Sequence, residues 1–449
     1  MYVCTKIEND MTITELYSLF LQNPTVATDS RNCPSESLFF ALKGDKFDGN
    51  TFAKQALQSG CAYAIVDNAS IVTDRRMILV DNVLHTLQQL AQFHRKTFKI
   101  PVIGMTGTNG KTTTKELTAV VLSQKYKVLS THGNLNNHIG VPLTLLRLSN
   151  EHDIAVIEMG ANHPGEIGEL ASIACPDYGL ITNVGFAHLE GFGSLEGVLK
   201  TKGALYEYLR ATNGTVFIHH DNDRLTAIAE GLNQISYGAM KQDVRIANQG
   251  SHSFFVGGEI TGRHPFLSFE WQYKHAAIYP VNTRLVGDYN IWNALAAITI
   301  GVYFGVPPEK INEAIINYEP TNNRSQFKKT EHNELIIDAY NANPSSMHAA
   351  LVNFAAMPYT PKAVILGDMR ELGEKSAELH DAVIKQVEAF NFKKVLLCGE
   401  QFSRTGRQYS RFTTVEQLNE YLETNPLRGY HILLKGSHDI HLEKTIRYL

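Results

Sequence analysis

Short apolar runs separated by stretches in which apolar residues recur every three or four positions dominate this chain. Strands buried on both faces of a parallel sheet read as such runs, and the intervening period fits helices lying over the sheet. From about Ile13 to about Ile100, Leu38-Phe-Phe-Ala-Leu42 and Tyr63-Ala-Ile-Val66 alternate with the helical pattern of Thr51 to Gly60, which predicts a small α/β unit. A second unit opens at Pro101. In it Val102-Ile103, Ile154-Ala-Val-Ile157, Gly179-Leu-Ile-Thr182 and Thr215-Val-Phe-Ile218 read as strands, with Lys111 to Gln124 as a helix, so a largely parallel sheet is expected. Asn290-Ile-Trp-Asn-Ala-Leu-Ala-Ala-Ile298 reads as a further helix, and Val306-Pro-Pro308 with Pro320-Thr-Asn-Asn-Arg324 as a boundary region. A third α/β unit follows, with strands at Leu335-Ile-Ile337, Ala363-Val-Ile-Leu366, Val395-Leu-Leu397 and His431-Ile-Leu-Leu434. The expected class is α/β in three domains, at residues 1–99, 100–319 and 320–449.

Composition narrows the function classes. The 449 residues carry 41 Lys+Arg against 45 Asp+Glu, with no basic run that would track a phosphate backbone, so no nucleic acid partner is expected. The start lacks the pattern of a secretion signal and no apolar segment reaches membrane-spanning length, which predicts a cytoplasmic protein without membrane insertion. Met11 opens the first helix-like pattern, so residues 1 to 10 read as a dispensable tail. Cys4, Cys33, Cys61, Cys175 and Cys398 are odd in number and scattered, as reduced structural thiols would be.

The most informative stretch is Gly104-Met-Thr-Gly-Thr-Asn-Gly-Lys-Thr-Thr-Thr114, a glycine-rich turn between a strand and a helix. There backbone N–H groups and the positive end of the helix can face a polyphosphate, which predicts ATP binding by Thr108, Asn109, Gly110, Lys111, Thr112 and Thr113. Lys111 would reach the β/γ-phosphates and Thr112 would sit on Mg²⁺. Met105 stands where the strict pattern has glycine, so the loop is a variant. In parallel sheets ligand-facing residues gather at the carboxyl ends of strands, here Glu158-Met-Gly160 and Asn183-Val-Gly185, with His188 just beyond. Glu158 and His188 could converge on Mg²⁺-nucleotide, against the plainer readings of a solvated strand end and a satisfied loop histidine. Lys200 and Lys202, taken singly, read as a wet helix surface.

Six motifs occur in an order that resembles the Mur ligases of peptidoglycan synthesis. They are Thr106-Gly-Thr-Asn-Gly-Lys-Thr-Thr-Thr-Lys115, Asn134-Leu-Asn-Asn-His-Ile-Gly-Val-Pro142, Glu158-Met-Gly160, Asn183-Val-Gly-Phe-Ala-His-Leu-Glu-Gly-Phe-Gly193, Asn290-Ile-Trp-Asn293 and Asp338-Ala-Tyr-Asn-Ala-Asn-Pro344. The resemblance spans Asp29-Ser-Arg31 to Lys435-Gly-Ser437. It implies an amino-terminal domain for the UDP end of a sugar nucleotide, a central P-loop ATPase-like domain and a carboxyl-terminal Rossmann-like domain. The implied substrates are ATP, a UDP-N-acetylmuramoyl-tripeptide and D-alanyl-D-alanine, joined by an amide bond, and a monomer is expected.

The same resemblance implies that Lys202 is carbamylated by CO₂ and holds two Mg²⁺ ions together with Thr112, Glu158 and His188. Lys111, Lys202, His188 and Glu158 are then the catalytic set. Asn290, Asn293, Arg324 and Asp338 fall near the adenosine or γ-phosphate, while Ser30, Arg31, Asn134, Asn137, Tyr340, Asn341 and Asn343 fall on the other substrates. Tyr289, Ala204 and His438 depart from the residues common at those positions, which are histidine, glutamate and arginine. Two rivals stay open: another amide ligase adding a single amino acid, and a nucleotide-operated switch without ligation. Asn343-Pro-Ser-Ser346, where ligases for the third stem residue carry Asp-Asn-Pro-Arg, favours a dipeptide-adding enzyme.

Overall fold

The computed structural model describes residues 11–44, 46–186, 189–240, 255–273 and 277–449. His188 and the tail of residues 1 to 10 lie outside the described residues. The architecture is α/β, built on three mostly parallel sheets in the three-domain arrangement expected from the hydrophobic pattern.

The first sheet runs Val26–Ala27, Leu38–Phe40, Tyr63–Val66, Met77–Leu79 in space, all pairs parallel. Leu38, Phe39 and Phe40 are all buried, which is why this run shows no alternation. The helical pattern of Thr51 to Gly60 resolves into a 3₁₀ turn, Gly49–Phe52, followed by the helix Ala53–Gln58.

The second sheet has nine strands in the order Tyr279–Asn282, Ser268–Tyr273, Phe255–Gly262, Asn233–Ala239, Thr215–His219, Tyr178–Ile181, Val102–Thr106, Ile154–Glu158, Val128–Ser130. Its last three strands in sequence pair antiparallel, and the sequence pattern did not reveal them. Ser268–Tyr273 alternates buried Phe269 and Trp271 with half-covered residues, a period that continuous apolar runs do not show. The helix Asn290–Tyr303 runs beyond its expected end and packs on Lys111–Leu122 so closely that a Cβ on Gly301 would meet Val121 at 2.4 Å. The expected boundary region holds a helix, Pro308–Asn317, whose proline at the first turn needs no N–H.

The third sheet runs Gln326–Lys329, Glu334–Asp338, His431–Lys435, Lys362–Gly367, Lys394–Cys398, Ser410–Phe412, parallel except for the first pair. One face is covered by a core containing Leu351, Phe354 and Val383, the other by one containing Val415, Leu418 and Leu422. Helices on both faces of a parallel sheet make this domain doubly wound.

Two compact units can be distinguished: residues up to 104 with 126–160 and 168–177, and residues 105–125, 161–167 and 178–449. Among the described residues no helix is long and apolar enough to cross a membrane.

Candidate active site

The phosphate loop is held by its glycines and by one neighbouring strand end. Gly107 has φ 144° and Gly110 has φ 78°, backbone conformations that L side chains resist. A Cβ on Gly107 would lie 2.0 Å from Thr182 Oγ1, and one on Gly110 would lie 2.5 Å from Asn293 Oδ1. Asn183 clasps Asn109: its Oδ1 accepts from Asn109 N at 3.0 Å and its Nδ2 donates to Asn109 O at 2.9 Å. Thr108 N donates to Asn183 O at 2.9 Å, and Gly185 N donates to Thr108 Oγ1 at 3.0 Å. The Lys111 ammonium lies over the turn, donating to Gly107 O at 2.7 Å and Thr108 O at 3.1 Å. Thr112 is buried one residue further on, and Thr113 is half-buried. This loop presents N–H groups, a helix start and a cation to one place, which is what a polyphosphate needs.

The helix Asn290–Tyr303 braces the loop from behind. Thr114 Oγ1 donates to Asn293 Oδ1 at 3.1 Å, Asn293 Nδ2 to Asn290 Oδ1 at 2.8 Å, and Asn290 Nδ2 to Val286 O at 2.8 Å. Both asparagines are buried, so their side chains brace this helix and the loop through one another. The third sheet's domain reaches the same loop: Asn343, which caps the helix Pro344–Ala356, also donates Nδ2 to Asn109 Oδ1 at 2.8 Å. Ser345 Oγ accepts from Phe186 N at 3.1 Å. Asn343, expected among the substrate-binding residues, bonds the nucleotide loop here.

Lys202 lies on the helix Leu195–Ala211, capped by Ser194, whose Oγ accepts from Gly197 N at 3.1 Å. The plain reading of a wet surface holds for Lys200, which is exposed, and fails for Lys202, which is 1% exposed. Lys202 Nζ has no hydrogen-bond partner among the described residues and sits 5.5 Å from the Phe192 ring centroid. Burial pushes its amine well below the usual lysine value, the Lys111 charge pushes the same way, and Glu166 opposes them.

In the other compact unit Glu158 is 1% exposed, so the solvated strand end is likewise overturned. Asn136 Nδ2 donates to Glu158 Oε1 at 2.7 Å, and Asn136 O accepts from Gly160 N at 2.7 Å. The asparagine beside Glu158 is therefore Asn136, which sequence reasoning passed over. Asn134 and Asn137 are exposed, and Asn137 Oδ1 accepts from Ile139 N and Gly140 N at the start of the helix Gly140–Leu145. The repeated asparagines were the only signal, and nothing in it singled out the middle one. At the amino-terminal end of this unit Ser30 is buried, while Arg31 is exposed and forks onto Asp29 at 2.7 Å. The Arg31 hydrogen bonds hold the Asp29 carboxyl down at about 2.

In the third sheet's domain Asp338 Oδ2 lies 3.0 Å from Lys435 Nζ, which also donates to Asn341 O at 2.6 Å. Lys435 is 1% exposed and was not among the expected site residues. The Arg324 guanidinium stacks 3.9 Å from the Tyr340 ring, and His438 stacks on Tyr340 at 5.4 Å. Among the described residues no three His, Cys, Asp or Glu side chains converge as a ready-made metal site.

Three family profiles match: "Mur ligase family, catalytic domain" at residues 25–95, "Mur ligase middle domain" at 105–301 and "Mur ligase, glutamate ligase domain" at 323–438. The chain is 34% identical over 443 residues to the UDP-N-acetylmuramoyl-tripeptide–D-alanyl-D-alanine ligase of Bacillus subtilis (strain 168), covering 94% of this chain and 92% of that one. Among solved structures, MurF from Acinetobacter baumannii superposes with a TM-score of 0.83 at 30% identity, covering 94% of this chain and 92% of that one. The MurF ligase from Thermotoga maritima, solved in complex with ADP, gives 0.82 at 25% identity, covering 95% and 97%.

Proposed function

The chain belongs to the Mur ligase family, and on that premise we propose that it joins D-alanyl-D-alanine to UDP-N-acetylmuramoyl-tripeptide at the expense of ATP, in peptidoglycan precursor synthesis. The observation that carries this reading is the phosphate loop, with Lys111 over its turn and Asn343 from the third sheet's domain bonded to Asn109. A nucleotide loop contacted by a second domain suits a reaction that must bring separate substrates together and exclude water. The alignment with dipeptide-adding relatives over nearly the whole chain separates it from the single-amino-acid ligases and from a bare switch.

A carboxylate is too stable an anion to be attacked directly by an amine. The terminal carboxylate of the tripeptide would take the γ-phosphoryl group of ATP, breaking its bond to the β-phosphate and releasing ADP, to give an acyl phosphate, while Lys111 offsets the charge on the moving phosphoryl oxygens. The neutral amine of D-alanyl-D-alanine attacks the acyl carbon, the C–N bond forms, the C–O bond to phosphate breaks, and inorganic phosphate and the surplus amine proton leave. In our reading the nucleotide occupies residues 108–113, with Asn290, Asn293, Arg324 and Asp338 around it. Tyr340 and Asn341 lie toward the acceptor, and Ser30 and Arg31 hold the UDP end in a domain of residues 1–99. Domains of residues 100–319 and 320–449 complete the chain, which works in the cytoplasm, where ATP and sugar nucleotides are made.

The surroundings of Lys202 fit a carbamate. Burial lowers the amine's pKa and so favours its neutral, nucleophilic form: R-NH₂ and CO₂ give R-NH-COO⁻ and a proton. The new carboxylate would place anionic oxygens of use to a cation where Lys202 Nζ has no hydrogen-bond partner among the described residues, with Thr112 as a second oxygen ligand. Mg²⁺ held there would neutralise polyphosphate charge. Glu158, in the other compact unit, and His188 stay ligand candidates on sequence alone.

Phosphate release measured with a panel of UDP-muramoyl tripeptides tests the reading. It should need both the tripeptide and D-alanyl-D-alanine, and the third residue the enzyme accepts will appear from the panel. Steady ATP turnover without the amine, or no amide product with any tripeptide, would overturn it.

A further inference from the structure

The segment that joins the second and third sheets, residues 318–325, is fastened at two points to the two helices that carry the nucleotide contacts. The first point is Glu116, five residues beyond Lys111 on the helix Lys111–Leu122. Its Oε2 accepts from Tyr318 OH at 2.6 Å and its Oε1 accepts from Asn322 Nδ2 at 3.0 Å. Lys115 Nζ adds an ion pair to Oε1 at 3.5 Å. The second point is Tyr289, at the start of the helix Asn290–Tyr303, whose hydroxyl meets Ser325 Oγ at 2.8 Å. Tyr289 is one of the three departures from the family's usual residues, and a histidine there would not reach with a phenolic hydroxyl.

Between these points the backbone is held in unfavourable conformations. Asn323 has φ 57° and Ser325 has φ 50°, so residues on both sides of Arg324 lie in the left-handed region, which serine adopts far less readily than asparagine. Asn322 gives its amino group to Glu116, and its buried Oδ1 has no hydrogen-bond partner among the described residues. Such an arrangement persists only where its surroundings impose it. What it sets is the direction of Arg324, whose guanidinium lies 3.9 Å from the Tyr340 ring. Ala339 N, donating to Asn323 O at 2.9 Å, ties the segment to the end of the strand Glu334–Asp338.

We propose that Glu116, Tyr318 and Tyr289 are positioning residues that clasp residues 318–325 to the two nucleotide helices and so fix Arg324 and the third sheet's domain for ligation. The clasp couples the place where Lys111 and Thr112 sit to the segment from which Arg324 projects, through the Glu116 carboxylate that holds the Tyr318 phenol and the Asn322 amide. Burial and the Glu116 charge keep the Tyr318 hydroxyl protonated, so it remains a donor across the range in which the enzyme works. The kinetic part of the proposal rests on the ligase reading above; the structural part does not.

The test uses the full chain with Tyr318→Phe and Tyr289→Phe, each of which removes one hydroxyl and little volume, and Glu116→Gln against Glu116→Ala. Hydrogen exchange of residues 318–325, ADP affinity, melting temperature, kcat and KM are measured together. Loss of the Tyr318 hydrogen bond to a carboxylate should speed exchange in the segment by about tenfold or more. ADP affinity, set mainly by residues 108–113, should stay within about twofold, and kcat should fall by about tenfold with little change in KM for ATP, because the clasp orients Arg324 for the transfer step and does not hold the diphosphate. Glu116→Gln, which keeps an acceptor, should be milder than Glu116→Ala. Unchanged exchange and kcat in both tyrosine variants would overturn the proposal. So would a fall in kcat matched by equal losses of ADP affinity and melting temperature, which marks a merely structural contact. If the wild-type chain made no amide product, the ligase reading would fail while the exchange and ADP measurements still decided the clasp.

Discussion

Lys435 and Lys202 are equally buried, each 1% exposed, and their surroundings differ in every respect that matters to charge. Lys435 has the Asp338 carboxylate at 3.0 Å and the Asn341 carbonyl at 2.6 Å. Lys202 has an aromatic ring at 5.5 Å, no hydrogen-bond partner among the described residues, and the Lys111 charge acting against its protonation. A buried cation with a carboxylate is a fastener, because each charge offsets the desolvation of the other. A buried amine without one weakens the fold, and such a weakness on a helix near a phosphate loop is the kind of place where chemistry is proposed.

The sharpest way to break this contrast is to delete each side chain. Lys202→Ala should lower ligation by about a thousandfold or more if it carries the metal-binding carbamate. Acetate or formate in the buffer should restore part of the rate by entering the vacated space, and full activity without it would remove Lys202 from the mechanism. Lys435→Ala should instead act on stability. It strands Asp338, whose side chain is only 17% exposed, and should cost about 3–5 kcal/mol in denaturant unfolding. Small carboxylates should do nothing for it, and a loss under about 1 kcal/mol would mean that water replaces the pair.

A smaller effect sharpens the comparison through pH. The Lys202 amine titrates below its unfolded value, so within that interval the unfolded chain binds more protons and stability rises with pH. The penalty of the buried ammonium is complete below the folded value and gone above about 10.4. In CO₂-free buffer Lys202→Met should therefore be more stable than wild type by about 1–3 kcal/mol at low pH, with the advantage shrinking as pH rises. A pH-independent difference would contradict the assignment. The smallest expected effect is the control: Lys200→Ala, on the same helix but exposed, should change stability by less than about 0.5 kcal/mol and leave turnover unaltered.

Much of the fold was legible because its strands are continuous apolar runs, as at Tyr63–Val66 and Ile154–Glu158, where both faces are covered. The antiparallel strands from Phe255 to Asn282 escaped notice because they do not form continuous apolar runs, Ser268–Tyr273 alternating polar with apolar residues, and Pro308–Asn317 because prolines that read as a boundary also start a helix. In the site, the nucleotide loop was legible and its brace through Asn183 only in part. Asn136 could not be told from Asn134 and Asn137, and Lys435 could not be told from any other strand-end lysine.

What the sequence by itself determined is local. The turn from Thr106 to Lys111 is specified by glycines that tolerate positive φ at 107 and 110, followed by a helix whose start suits a phosphate, and no distant contact is needed to infer it. Tertiary structure decided which of two neighbouring lysines loses water, which of three asparagines meets Glu158, and that Tyr289 finds Ser325 across 36 residues. On a helix, residues two apart point about 160° away from each other, so Lys200 and Lys202 part company only once one side of their helix is laid against a sheet. Burial and partners are properties of that packing, and they set the charge on which the proposed chemistry turns.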